Sequence, residues 1–171
     1  MVQSVELLLD SQADQEIRLQ WLMLEQAGLP SQAGHRGASN RPHITLAVAE
    51  SITEAAESSM AEALELLPLR FSIGSLTCFG RRRYILVRQV VPTEGLLAFQ
   101  RRIANHLDVD DPISARNAPG AWTPHVTLAH GLSAAQVGAA LEILDGPADL
   151  GCLADVVRRW DSEDKSEWNL S

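Results

Sequence analysis

Apolar and polar positions along the chain follow two rhythms, and the rhythm changes at serine, glycine and proline. Residues 2–9 (VQSVELLL) read as a first strand that ends at Asp10-Ser11. From Ser11, the expected helix cap, the period lengthens: Ile17, Trp21 and Leu24 fall on one helical face, with Asp14 in the first turn. Gly28 and Pro30 end that helix, and residues 31–40 (SQAGHRGASN) form a polar, glycine-rich loop. A second helix is expected from Ser51, where Ser51-x-x-Glu54 is a capping-box pattern. Met60, Ala63, Leu64 and Leu67 form its buried stripe and Pro68 its stop. Strands follow over 69–79 and 83–91, joined by a turn at Gly80-Arg81-Arg82. A third helix carries Leu96, Phe99, Ile103 and Leu107. After a loop over 108–121, a strand at His125 leads to a fourth helix. Ser133-x-x-Gln136 caps it, Val137, Leu141 and Leu144 form its stripe, and Pro147 ends it. A strand over 150–160 and a short one over 167–170 complete the pattern.

The stretch Arg41-Pro42-His43-Ile44-Thr45-Leu46-Ala47-Val48 returns as Thr123-Pro124-His125-Val126-Thr127-Leu128-Ala129-His130, and the offset from 43 to 125 is 82. Ser51 and Ser133 keep the same offset. A strand, a gap, a cap and a helix recurring in register point to an internal duplication. Strand side chains alternate, so each His shares a face with the Thr two residues on, and the aliphatics take the other face. Proline before each His suits a strand start. The expectation is a single α+β domain over 1–171, with approximate repeat halves 1–80 and 81–171. It is bilobal and pseudo-twofold, each lobe a small antiparallel-rich sheet with outer helices, and the two His-x-Thr strands face a central cleft.

Composition narrows the range of functions. The chain is 46% apolar and 21% charged, ordinary for a globular protein. A formal net charge of −8 disfavours sequence-independent binding of long nucleic acids, and leaves room for a small phosphorylated ligand held by local arginines. Cys78 and Cys152 have no paired spacing and read as small buried residues. The start of the chain has no basic segment and too short an apolar run for a signal peptide, and no run approaches a membrane span. A cytoplasmic monomer with no membrane partner is expected.

Two imidazoles facing one cleft suit general acid–base catalysis, because one can serve as neutral base while the other holds a proton. A Thr hydroxyl beside each can donate a hydrogen bond to an anionic oxygen between them. That set matches in-line displacement at phosphorus and calls for no metal or cofactor. A lone His on a strand is usually structural; two copies in register favour a site.

The paired His-x-Thr motifs, the duplicated layout, and residues 74–79 (GSLTCF) followed by 83–87 (RYILV) resemble the two-histidine phosphoesterase superfamily. Within it, the 2'-5' RNA ligase-like branch is the most similar, and the resemblance spans nearly the whole chain. It implies two pseudo-symmetric lobes around a cleft and metal-independent hydrolysis of 2',3'-cyclic phosphates, usually to a 2'-phosphate, with 2'-5' ligation in some members. It further implies that His43 and His125 are the acid–base pair and that Thr45 and Thr127 bind the phosphate. The substrate would be a small nucleotide or an RNA end. The branch often has an arginine after the second motif, where this chain has His130.

Other residues carry plainer alternatives. Arg83, with Arg81 and Arg82, is a candidate phosphate ligand at the cleft mouth or a charge on a hairpin turn. Trp122 could stack on a base or pack against a helix. His130, five residues past His125, is expected on the opposite face. His35 and Arg36 lie in the loop before the first motif. Metal-site, P-loop, dinucleotide and serine-hydrolase signatures are all absent from the sequence. A binding module for a terminal or cyclic phosphate, with the same cleft and no turnover, is the competing class.

Overall fold

The computed structural model describes residues 2–35, 37, 39–107, 112–146 and 149–170. Arg36 and Pro147, singled out above, lie outside the described residues. The strands are β1 (Gln3–Leu8), β2 (His43–Ala49), β3 (Leu69–Gly80), β4 (Tyr84–Val90), β5 (His125–Leu132), β6 (Leu150–Ala154), β7 (Val156–Asp161) and β8 (Ser166–Asn169). The helices are α1 (Ser11–Gln26), α2 (Glu54–Ser59), α3 (Ala61–Leu64), α4 (Glu94–Ala104) and α5 (Ala134–Ile143). Each repeat therefore runs strand, helix, motif strand, helical segment, strand.

Local chemistry sets the helix starts. Asp10, not Ser11, caps α1, its carboxylate accepting from Ala13 N–H at 2.9 Å. Thr53, not Ser51, caps α2, accepting from Ala56 N–H at 3.1 Å. Threonine and aspartate do the same work as serine one or two residues away, so a capping motif places a helix start only to within a turn. At Ser133 the capping box forms as expected, with both reciprocal bonds to Gln136.

The strands form one eight-stranded sheet in the order β6-β3-β4-β5-β2-β1-β7-β8, with every pairing antiparallel. The two small sheets expected, one per repeat, are instead one sheet whose halves exchange strands: β3 of the first repeat pairs with β4 and β6, and β7 of the C-terminal half pairs with β1. The halves of the sheet meet at β2 and β5, where Ile44 pairs with Val126. The expected strand over 150–160 is two strands broken at Asp155. β6 pairs with β3 and β7 pairs with β1. Since Asp155 alone separates them, the sheet curls until its β6 edge lies beside β7. Leu153 N–H donating to Asp10 at 2.7 Å ties that closure.

The helices cover the aliphatic face. Ile17, Trp21 and Leu24 of α1 and Leu96, Phe99 and Ile103 of α4 pack on Ile44, Leu46, Val126 and Leu128, all buried. Both cysteines are free thiols; Cys152 is buried and burial pushes its pKa up to about 12, which suits an inert packing residue. Among the described residues no helix is long and apolar enough to cross a membrane.

Candidate active site

The register at the sheet centre assembles the site. With Ile44 opposite Val126, antiparallel pairing sets His43 across from Thr127 and Thr45 across from His125. Directly opposed residues in an antiparallel pair share a face. All four side chains therefore project together, while Ile44, Leu46, Val126 and Leu128, each fully buried, project to the core. The burial patterns of the two strands agree residue by residue through the motif.

A bulge repeats with the motif. β1 pairs Glu6 with Thr45 but Val5 with Ala47, so Leu46 is an extra residue in β2. β4 pairs Val87 with Thr127 but Leu86 with Ala129, so Leu128 is an extra residue in β5. Such an insertion reverses the alternation beyond it. His130, expected on the opposite face, is thereby turned to the face of His125: Leu128 and Ala129 are both buried and His130 is exposed. The neighbouring charges that depress His130 include those of His35 and His125, after burial as the largest cause.

Each imidazole is held the same way. Nδ1 of His43 lies 2.7 Å from the Arg41 carbonyl, and Nδ1 of His125 lies 2.7 Å from the Thr123 carbonyl. A carbonyl only accepts, so Nδ1 carries the hydrogen in both rings and Nε2 is left to take or give a proton. The surroundings then differ. Burial holds His125 below the ordinary imidazole value; the Thr123 bond opposes this and the charge of His43 adds to it. Phe79 meets the His125 ring edge-on, with centroids 5.0 Å apart at 69°. Beside His43 stands Glu6, its Oε1 3.6 Å from Nε2, an ion pair only when the ring is protonated.

Glu6 is buried and fixed. Its Oε1 accepts from Ser4 Oγ at 2.7 Å and its Oε2 from Arg158 Nε at 2.8 Å. Arg158, also buried, donates further to the Ser39 carbonyl at 2.9 Å and to Glu167. A cavity of about 650 Å³ opens on this side of His43, lined by Glu6, His35, Arg158, Trp160 and Lys165 among others. Among the described residues no group of three or more His, Cys, Asp or Glu could hold a metal ion.

The structure brings His43, Thr45, His125 and Thr127 together, with His35 on the cavity wall. It does not bring Arg83 or the ring face of Trp122 to them. Arg83 Nη1 donates to the Gly131 carbonyl at 2.7 Å, at the end of β5 away from His125. Trp122 packs against the core and gives its indole N–H to the Thr45 carbonyl at 2.9 Å. Sequence reasoning missed Glu6, Arg158 and Phe79. A carboxylate in the otherwise apolar run Val5–Leu9 was the one available signal, since a charge inside a buried strand needs a partner.

Residues 13–165 match the profile of the 2'-5' RNA ligase superfamily. The chain belongs to that superfamily. No curated protein sequence matches it. Three solved structures share the superfamily fold. LigT of E. coli in apo form is 16% identical with a TM-score of 0.58, over 99% of this chain and 94% of LigT. TT0787 of Thermus thermophilus is 15% identical with a TM-score of 0.58, over 100% and 96%. Usb1 of Kluyveromyces marxianus is 12% identical with a TM-score of 0.54, over 99% and 97%. LigT is also known in complex with 3'-AMP, and Usb1 with uridine monophosphate.

Proposed function

We propose that the protein is a phosphodiesterase that opens a 2',3'-cyclic phosphate on a small nucleotide or RNA terminus and leaves a 2'-phosphate. The observation that supports this most is the mirrored set on one face, two imidazoles with free Nε2 atoms and two threonines. Membership of the superfamily and the nucleotide complexes of LigT and Usb1 support a ligand of this class. His125, desolvated and held neutral, is the base: its Nε2 takes a proton from water as the water oxygen bonds to phosphorus. His43, with the Glu6 carboxylate beside it, is the acid: its Nε2 proton passes to the leaving 3'-oxygen as the P–O3' bond breaks. Thr45 and Thr127 hold the equatorial oxygens, where charge grows in the transition state. Proton transfer and charge stabilisation both come from the chain, so no metal is needed. With a 5'-hydroxyl in place of water as nucleophile, its proton taken by His125 and the 3'-oxygen protonated by His43, the same groups would make a 2'-5' bond.

The test is turnover of the four 2',3'-cyclic nucleotides in excess EDTA, with product position read by phosphorus NMR. A 2'-phosphate formed by the wild type and lost in both His43→Ala and His125→Ala is expected. A folded wild type that binds these nucleotides without opening them would leave a recognition module in place of an enzyme.

A further inference from the structure

A β-bulge takes one carbonyl out of the ladder, and that carbonyl needs another donor. The extra residues are Leu46 and Leu128, and just before each of them the carbonyl of the motif threonine accepts from a tryptophan. Trp21 Nε1–H of α1 donates to the Thr127 carbonyl at 3.0 Å, and Trp122 Nε1–H donates to the Thr45 carbonyl at 2.9 Å. Trp21 belongs to the first repeat and braces the second motif. Trp122 belongs to the second repeat and braces the first. The two bonds thus cross between the motif strands of the two repeats, β2 and β5, which share one described backbone pair.

We propose that Trp21 and Trp122 are reciprocal positioning residues, each fixing by its indole N–H the threonine of the other repeat's motif. This rests on the catalytic reading of that site. The argument is geometric. The carbonyl and the hydroxyl belong to one residue, so holding the Thr45 carbonyl sets the peptide plane that follows Thr45 and the direction of its side chain. Through the strand it also sets the His two residues before. Gln100, buried, supports the first bulge further by donating to the Leu46 carbonyl at 3.1 Å, and Asn117 Nδ2 lies 3.4 Å from the Thr45 carbonyl. The second bulge has Trp21 as its described donor, so Trp21 carries more of its load. Neither motif can shift without loosening a bond to the other repeat, and the four site groups keep one spacing.

Replacing each tryptophan by benzothienylalanine keeps the ring shape and removes only the N–H. The histidine side chains are then followed by two-bond proton–nitrogen NMR, which needs no turnover. The expected result is crosswise: the change at Trp122 moves the His43 resonances, although Trp122 lies three residues from His125, and the change at Trp21 moves those of His125. Turnover should fall on the order of five- to tenfold in kcat, with KM held within about twofold. The same replacement at Trp168, whose N–H bonds Glu57 away from the site, should change neither. Unmoved histidine resonances, or a change at Trp122 that reaches His125 alone, would overturn the proposal. A wild type without activity would count against the catalytic reading, and the crosswise shifts would still decide the bracing.

Discussion

The two halves of the sheet carry the same motif on the same bulged strand and surround it with opposite chemistry. Around His43 the shared face is ionic: Glu6 and Arg158 are buried together, and β8 adds Glu167. Around His125 the described neighbours carry no charge: Phe79 lies edge-on to the imidazole, Val87 pairs across from Thr127, and Gln89 pairs across from His125 itself. Duplication supplies two equivalent imidazoles. Burial lowers the pKa of His125 and the Glu6 carboxylate stands beside His43, a division of surroundings that the proposed acid–base pair would use. A symmetric site could hold a phosphate; in the proposed mechanism the asymmetry would set the direction in which a proton moves.

The largest expected effect tests that division directly. His125→Ala and His43→Ala should each lower kcat by roughly 10²- to 10⁴-fold, and His125→Ala should also erase the acid limb of the pH–rate profile. Single-turnover assays across pH read both. Equal profiles for the two variants would remove the distinction between the halves.

Next in size is the ionic half itself. Glu6→Gln removes the buried carboxylate from Arg158 and leaves the guanidinium only the more exposed Glu167, which should cost about 3 kcal/mol of stability in urea unfolding. The buried Arg159 offers a control, because its partner Glu57, at 2.9 Å, is partly exposed and Trp168 covers its other side. Glu57→Gln should cost less, about 1–2 kcal/mol. Thr45→Val and Thr127→Val come third. Each removes one hydroxyl donor and keeps the strand, so kcat should fall on the order of 10²-fold with little change in melting.

The smallest effect belongs to the half around His125. Burial lowers the pKa of His125 in the folded chain, so the unfolded chain takes up the proton first as pH falls. Stability is then full above about pH 6.5, the unfolded value, and declines as pH drops through the window below it. His130, lowered by partial desolvation of its ring and then by the charges of His35 and His125, adds in the same sense but more weakly, since its side chain is exposed. Urea midpoints should be lower at about pH 5.5 than at about pH 7.5, and His125→Phe should flatten that difference.

Much of this was legible in the chain. His43, Thr45, His125 and Thr127 could be assigned to one face because strand alternation is strict across three residues. The capping box at Ser133 was legible and formed, whereas the same pattern at Ser51 gave way to Thr53 two residues on. The bulges were not, since Leu46 and Leu128 look like any strand aliphatic, and an extra residue shows only in the partner's register. His130 was consequently assigned to the wrong face. Trp21 and Trp122 were hidden for a related reason: their partners are backbone carbonyls, which carry no sequence signature. The break at Asp155 was equally silent, because both sides of it read as strand.

That break has a consequence for synthesis. β1 is made first, yet its partner β7 lies near the other end of the chain, and β6 closes on β3 only just before. Until residues 156–161 leave the ribosome, one edge of β1 stays open and Glu6 waits without Arg158. Long-range pairing of this kind folds slowly and exposes sticky edges meanwhile. The Glu6 side of the cleft is therefore the last part of the molecule that can form, and a nascent chain stalled before β7 would carry both histidines and Glu6 and yet lack the arginine that holds that carboxylate in place.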